Sequence, residues 1–263
     1  DSHAMKSKMT VTFLGTGTSQ GIPIIGSKHP VCLCNDPKDK RLRVSVLVTW
    51  DDCSVVVDSG PHIRQQMLRA NVERLDAILL THEHSDHTAG IDDIRPFNFM
   101  QQRPLPFYAH KRVFDALHPR FGYVFETQNR YPGAPSIEEI AIDKNTPFVI
   151  GGKEIIPIEA FHDTLPVLGF RFDDFTYLTD VKTISDEETA KVKGTKVLVI
   201  NALREEPHYS HFNVAEALDF VAKVKPEKTY FTHISHHMGF HNEVEKNLPK
   251  NVHLAYDTLT ITL

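Results

Sequence analysis

Cysteine is scarce in this chain of 263 residues: three, at positions 32, 34 and 53. An odd count with a Cys-x-Cys pair argues against the disulfide framework of a secreted domain. No apolar run approaches the roughly 20 residues of a membrane helix, and the N-terminus lacks the apolar stretch of a signal peptide. The expected compartment is the cytoplasm, with no membrane partner. A basic excess is missing too. Lys and Arg total 29 against 34 Asp and Glu, a formal charge of -5, so nothing in the bulk charge draws the chain to nucleic acid. Repeats and low-complexity linkers are absent. Asp1-Ser2-His3-Ala4 reads as a tag remnant ahead of a start at Met5 or Met9, which makes 1–8 an extension and 9–263 one domain.

What the chain has in excess is histidine, 16 in all, with several in clusters. Imidazole is the commonest metal ligand and titrates near neutrality, so the clusters direct the rest of the reading. Short β-rich runs alternate with helical ones. Val11–Leu14 is a strand entering the loop 15–21, and Val44–Val48 and Ser54–Asp58 are strands around an Asp51-Asp52 turn. Ile63–Ala70 is a helix, and Ala77–Leu80 a buried strand that delivers a histidine run. Further strands are expected at 107–109, 154–160, 168–172, 175–178, 196–200 and 229–231, with helices at 112–117 and 186–193. Asn213-Val214-Ala215-Glu216 is a capping box opening a helix to Lys223. Residues 119–136, rich in Pro, Gly and Tyr, read as an irregular lid or substrate loop.

His82-Glu83-His84-Ser85-Asp86-His87 places four potential ligands in six residues, a density with no packing explanation. His82 and His84 share one side of extended chain, Asp86 and His87 turn toward a second point, and Glu83 and Ser85 read as solvated spacers. Four ligands do not complete two sites. His162, Asp180 and His233 each follow a strand-like run, where ligands are held rigidly. Taken alone, Thr232-His233 reads equally as a structural histidine and Thr179-Asp180 as a turn. Asp58 is either a turn cap or the acceptor that orients a ligating histidine. Arg204 either forks onto an anionic oxygen of a substrate or forms a surface ion pair.

The His-x-His-x-Asp-His run resembles the signature of the metallo-β-lactamase superfamily. The resemblance implies an α+β fold, an αββα sandwich of two sheets flanked by helices. It implies His82, His84 and His162 on one metal, Asp86, His87 and His233 on a second, and Asp180 bridging. Closer still, Phe13-Leu14-Gly15-Thr16-Gly17 with Gln20-Gly21-Ile22-Pro23 resembles the opening of PhnP-type phosphoribosyl cyclic phosphate phosphodiesterases. So do Cys32-Leu33-Cys34, like the start of their Cys-x-Cys-x-x-Cys zinc site, and His208-Tyr209-Ser210-His211, like their catalytic-histidine segment. This implies a third, structural zinc held by Cys32, Cys34 and His236. The third cysteine position is Pro37, so Asp36 is the expected fourth ligand, with His237 or water behind it.

The expected enzyme is a metal-dependent phosphodiesterase acting on a small phosphodiester, a cyclic ribose phosphate among the candidates, through a hydroxide held by two zinc or manganese ions. Asp86 and His211 are the catalytic candidates. His211 serves as general acid or as a phosphate-binding cation, against a plain role near the start of the following helix. The alternatives are a ribonuclease Z-like nuclease, a lactone or thioester hydrolase, and a non-hydrolytic protein like the B protein of pyrroloquinoline quinone biosynthesis. Nucleic acid is not an expected partner; a homodimer is left open.

Overall fold

The computed structural model describes residues 8–263; the tag remnant expected at 1–4, and Met5, lie outside the described residues. Fourteen strands among the described residues form two seven-stranded sheets. The first runs β14 (Thr260–Thr262), β1 (Met9–Gly15), β2 (Ser45–Trp50), β3 (Cys53–Val57), β4 (Ala77–Leu79), β5 (Leu105–Ala109), β6 (Ile137–Ala141). The second runs β13 (Val252–Leu254), β12 (Lys228–Thr232), β11 (Val197–Asn201), β10 (Phe175–Tyr177), β9 (Leu165–Phe172), β8 (Lys153–His162), β7 (Phe148–Ile150). Each sheet is antiparallel on one side and parallel on the other: β3 to β6 are parallel in the first, β10 to β13 in the second.

Alternation along the strands builds this sandwich. Val11, Phe13, Val46, Val48, Val55 and Val57 point inward from the first sheet and meet Phe170, Phe172, Phe175 and Tyr177 of the second. Full burial of each such side chain contributes about 1.5–3 kcal/mol. The opposite faces carry helices. In the first half these are α1 (Pro30–Leu33), α2 (Ile63–Arg69), α3 (Ser85–Thr88), α4 (Arg95–Gln101), α5 (Lys111–Leu117) and α6 (Gly122–Phe125). In the second they are α7 (Asp186–Val192), α8 (Val214–Val224) and α9 (His241–Asn247). Ile63, Met67, Phe97, Val113 and Phe114 cover the first sheet from outside, and Val214, Ala217 and Phe220 the second. The result is the αββα sandwich.

The local expectations fare unevenly. Asp51-Asp52 forms the tight β2–β3 turn, with Asp51 left-handed at φ 48°, and Asn213 and Glu216 form the capping box. No residue of the 119–136 stretch lines the cavity over the metal-ligand cluster, although Arg120 donates to the Glu83 carbonyl and the Ser85 hydroxyl of the histidine run. The stretch carries α6 and packs Phe121, Tyr123 and Val124 into the outer layer of the first sheet, and Arg130 ties it together through the carbonyls of Val124, Glu126 and Ala134. Phe121, Tyr123 and Phe125 serve that layer, while Tyr131 stays exposed and stacks on Tyr123. No helix among the described residues is long and apolar enough to cross a membrane.

Candidate metal centre

The site forms where strands from both sheets end. Asp58 follows β3, the histidine run follows β4, His162 ends β8, Asp180 follows β10 and His233 follows β12. The carboxyl ends of parallel strands are where side chains from many strands converge. Three of these residues leave their strands in the left-handed region: Asp58 at φ 68°, Asp180 at φ 64° and His233 at φ 57°. That region is sparsely used outside glycine and clusters at functional sites. The sharp turn aims each side chain across the sandwich rather than along it. Gly60 makes the close approach feasible, because a Cβ there would lie 2.2 Å from the carbonyl oxygen of Asp86.

Asp180 stands at the centre. Its Oδ2 lies 3.6 Å from His82 Nε2 and 3.7 Å from His162 Nε2. Its Oδ1 lies 3.1 Å from His87 Nε2 and 3.3 Å from His233 Nε2. Asp86 Oδ2 faces the same two rings at 3.2 and 3.4 Å. His84 completes the first group, its ring 4.7 Å from that of His82 and 5.2 Å from that of His162. The structure thus brings together all seven residues expected around two metals, in two groups that face opposite oxygens of Asp180.

The far nitrogens explain why the near ones point inward. His87 Nδ1 meets Asp58 Oδ2 at 2.6 Å, and His162 Nδ1 meets the Ser210 carbonyl at 2.8 Å. Both partners accept, so both rings carry a proton on Nδ1 and present Nε2 to the centre, the nitrogen a cation would take. His82 Nδ1 meets the Thr81 hydroxyl at 2.9 Å, and that hydroxyl donates to Asp58 at 2.8 Å. Asp58 is therefore an orienting acceptor and more than a turn cap.

The donor set fits divalent cations. Nε2 of His82, His87 and His233 are buried with no hydrogen-bond partner, a costly state for polar atoms unless something binds them. Burial opposes charge on His233, but the carboxylates of Asp180 and Asp86 outweigh it and lift its pKa to about 9. Burial also opposes ionisation of Asp180, yet His233 and His87 hold its carboxyl well below the usual range. Without metal, protons on these imidazoles offset the buried carboxylates; cations suit the same positions.

His211 belongs to this centre and not to the surface. It is buried, its Nε2 is 3.9 Å from Asp180 Oδ2, and its ring lies 4.6 Å from His162 and 4.5 Å from His233. Burial, then the charge of His233, push its pKa down to about 2, so it rests neutral. Its ligand atoms also group with those of His162 and Asp180. A cavity of about 270 Å³ opens over the centre, walled also by Thr18, Ser19, Leu203, Tyr209 and Ser210. A larger cleft of about 470 Å³, at Arg74, Asp76, Arg103 and Tyr108, contains none of the centre's residues.

Three expectations need correction. Arg204 does not face a phosphate position: its guanidinium donates to the carbonyls of Glu206 and Pro207 and braces its own turn. Glu83 is no solvated spacer, since both its oxygens meet Arg112, which also holds the Pro166 carbonyl. No ligand cluster among the described residues includes Cys32, Cys34 or His236. Cys32 is buried beside Ile22 and Val31, and the Cys34 thiol points to Asp39 Oδ2 at 3.5 Å. Asp36 caps the turn at Pro37–Asp39 and accepts from Asn242, while the rings around His236 are those of His29 and His237. Cys32 faces local packing and Cys34 faces Asp39, so the structure does not group either thiol with His236.

Sequence reasoning also missed Thr81. The signal for Thr81 lay in strand pairing: β3 and β4 run parallel with Val57 opposite Leu79, which sets Asp58 beside the residues just before His82.

The family model described as the beta-lactamase superfamily domain matches residues 54–234, which include the whole metal-ligand set. A solved structure, a diphosphatase from the PhnP family, superposes with a TM-score of 0.91 at 35% identity, over 97% of both chains. Among curated proteins, the octanoyltransferase of Porphyromonas gingivalis is 37% identical over 253 residues, 95% of this chain. This chain spans about half of that relative, 51% of its length. Ribonuclease Z of Kineococcus radiotolerans is 33% identical over 87 residues, 31% of this chain and 27% of that protein. The family match, the near-complete superposition and the αββα sandwich agree: this chain belongs to the metallo-β-lactamase superfamily and is PhnP-like within it.

Proposed function

We propose that the protein is a metal-dependent phosphodiesterase acting on a small-molecule substrate, with two divalent ions, zinc or manganese, in its active site. The observation that carries this reading is Asp180, whose two oxygens face two separate groups of ligand atoms. His82, His84 and His162 would hold one ion, and Asp86, His87 and His233 the other, with Asp180 shared. Bound there, the pair supplies a water of lowered pKa and neutralises charge on phosphate oxygens.

The chain's own residues do the rest. Asp58 and Thr81 fix the rings of His82 and His87, and the Ser210 carbonyl fixes His162. His211 sits on the cavity wall beside the same carboxylate. A phosphate anion entering the cavity favours the protonated imidazole, so His211 takes up a proton as substrate binds. It then gives that proton to the departing oxygen as general acid. The PhnP-family diphosphatase supports a phosphorus centre as the target. A disubstituted diphosphate presents the same feature as a phosphodiester, a phosphorus between two bridging oxygens.

A second reading has one observation behind it. The octanoyltransferase relative matches nearly this whole chain, which spans half of that relative, and this favours an octanoyl-bearing compound as substrate. One panel separates the two readings. Protein loaded with manganese or zinc is assayed on bis(4-nitrophenyl) phosphate, a cyclic ribose phosphate, a disubstituted diphosphate, 4-nitrophenyl phosphate, a lactone and an octanoyl thioester. Turnover of the diesters with little on the monoester supports the proposal; preference for the thioester or lactone rejects it.

A further inference from the structure

A lone exposed aromatic residue means little by itself. Tyr209, 74% exposed, has a setting that gives it a role. It lies on the wall of the cavity over the metal-ligand cluster, where most of its neighbours are imidazoles and carboxylates. One face of its ring rests on His208, with centroids 4.6 Å apart and planes 24° from parallel. His208 is itself fixed, because its Nδ1 accepts from both the backbone and the hydroxyl of Ser210 at 3.1 Å. The turn before it is braced by Arg204. The Tyr209 ring is therefore held from behind, and its hydroxyl has no hydrogen-bond partner among the described residues.

The rings continue inward. His208 lies 5.4 Å from His211, and His211 touches the ligand rings of His162 and His233. Two ring-to-ring steps thus separate Tyr209 from the proposed general acid. A planar base joined to phosphorus through one pentose spans such an interval. The hydroxyls of Thr18 and Ser19 line the same cavity, and neither has a hydrogen-bond partner among the described residues. They are placed to meet sugar hydroxyls.

We propose that Tyr209 is a stacking platform and specificity-determining residue for a nucleoside phosphodiester whose base lies one sugar away from the reacting phosphorus. The inference rests on the phosphodiester reading and names its substrate class. Base–aromatic stacking is sequence-tolerant and contributes binding without chemistry.

The test compares thymidine 5′-(4-nitrophenyl phosphate) with methyl 4-nitrophenyl phosphate, which shares the leaving group and lacks the nucleoside. On manganese-loaded protein, Tyr209→Ala raises KM for the nucleoside ester by about tenfold with kcat little changed. KM for the methyl ester changes several-fold less, and Tyr209→Phe restores the original KM. Equal effects on both esters, or none on either, overturn the platform. Calorimetric binding of adenosine monophosphate and ribose 5-phosphate gives a readout without turnover. The unsubstituted protein prefers the nucleotide by about tenfold and Tyr209→Ala erases that preference. No preference in the unsubstituted protein overturns the platform. A preference that depends on Tyr209, together with no hydrolysis of either ester, supports the platform and rejects the phosphodiester reading alone.

Discussion

Asp58 reaches His82 through a single hydroxyl: Thr81 donates to Asp58 Oδ2 at 2.8 Å and meets His82 Nδ1 at 2.9 Å. The same oxygen meets His87 Nδ1 at 2.6 Å. One buried carboxylate therefore orients one imidazole from each of the two ligand groups. Asp58→Asn keeps the shape and removes the charge. The expected outcome is a loss of metal affinity of about 10–100-fold, as for other residues that hold ligands in place. Titration with zinc and manganese checks it; unchanged affinity with an intact fold would remove Asp58 from this role.

His211→Ala separates two roles that share one position. As general acid, its loss lowers kcat by about 10²–10⁴-fold and leaves the metal content intact. As a ligand alongside His162 and Asp180, its loss removes an equivalent of metal. Elemental analysis of the variant and turnover of a diester with a poor leaving group, measured together, distinguish the outcomes.

Metal content should reach two equivalents per chain, since the ligand atoms form a paired centre and no cluster among the described residues contains a cysteine. Cys34→Ser is expected to leave that number unchanged, because the thiol faces Asp39. A third equivalent that disappears in Cys34→Ser would restore the structural zinc.

Stability is expected to fall with acidification through His241. Burial, then the guanidinium of Arg41, push its pKa down from 6.5 to about 4, and its Nδ1 lies 3.1 Å from Arg41. The folded state thus binds fewer protons than the unfolded chain between those values. The contribution is present above 6.5 and is lost as pH falls toward about 4. Denaturant unfolding at several pH values should show a shallower loss in His241→Gln; equal slopes would assign the acid sensitivity elsewhere.

The histidine run was legible because four ligand-type side chains in six residues have no apolar use. The inward-facing strands were legible because Val55 to Val57 and Phe170 to Tyr177 declare their burial. β6 was not, because its sequence Ile-Glu-Glu-Ile-Ala lies at a sheet edge where the glutamates stay exposed. α9, His241–Asn247, buries only His241 and carries no apolar stripe. The cysteines are hard to read for a related reason. A Cys-x-Cys spacing reveals thiols, whereas their direction depends on a single turn of helix at Pro30–Leu33 that aims one into packing and the other at Asp39. Arg204 was ambiguous because only the folded turn supplies the carbonyls that occupy its fork.

The ligands come from both halves of the chain. His82, His84, Asp86 and His87 follow the first sheet; His162, Asp180 and His233 follow the second. Neither half alone holds a complete set, so high-affinity loading has to wait until the two sheets have docked. The metals would then act as a rivet across the sandwich, and uptake of the first ion during refolding would time the meeting of the two halves.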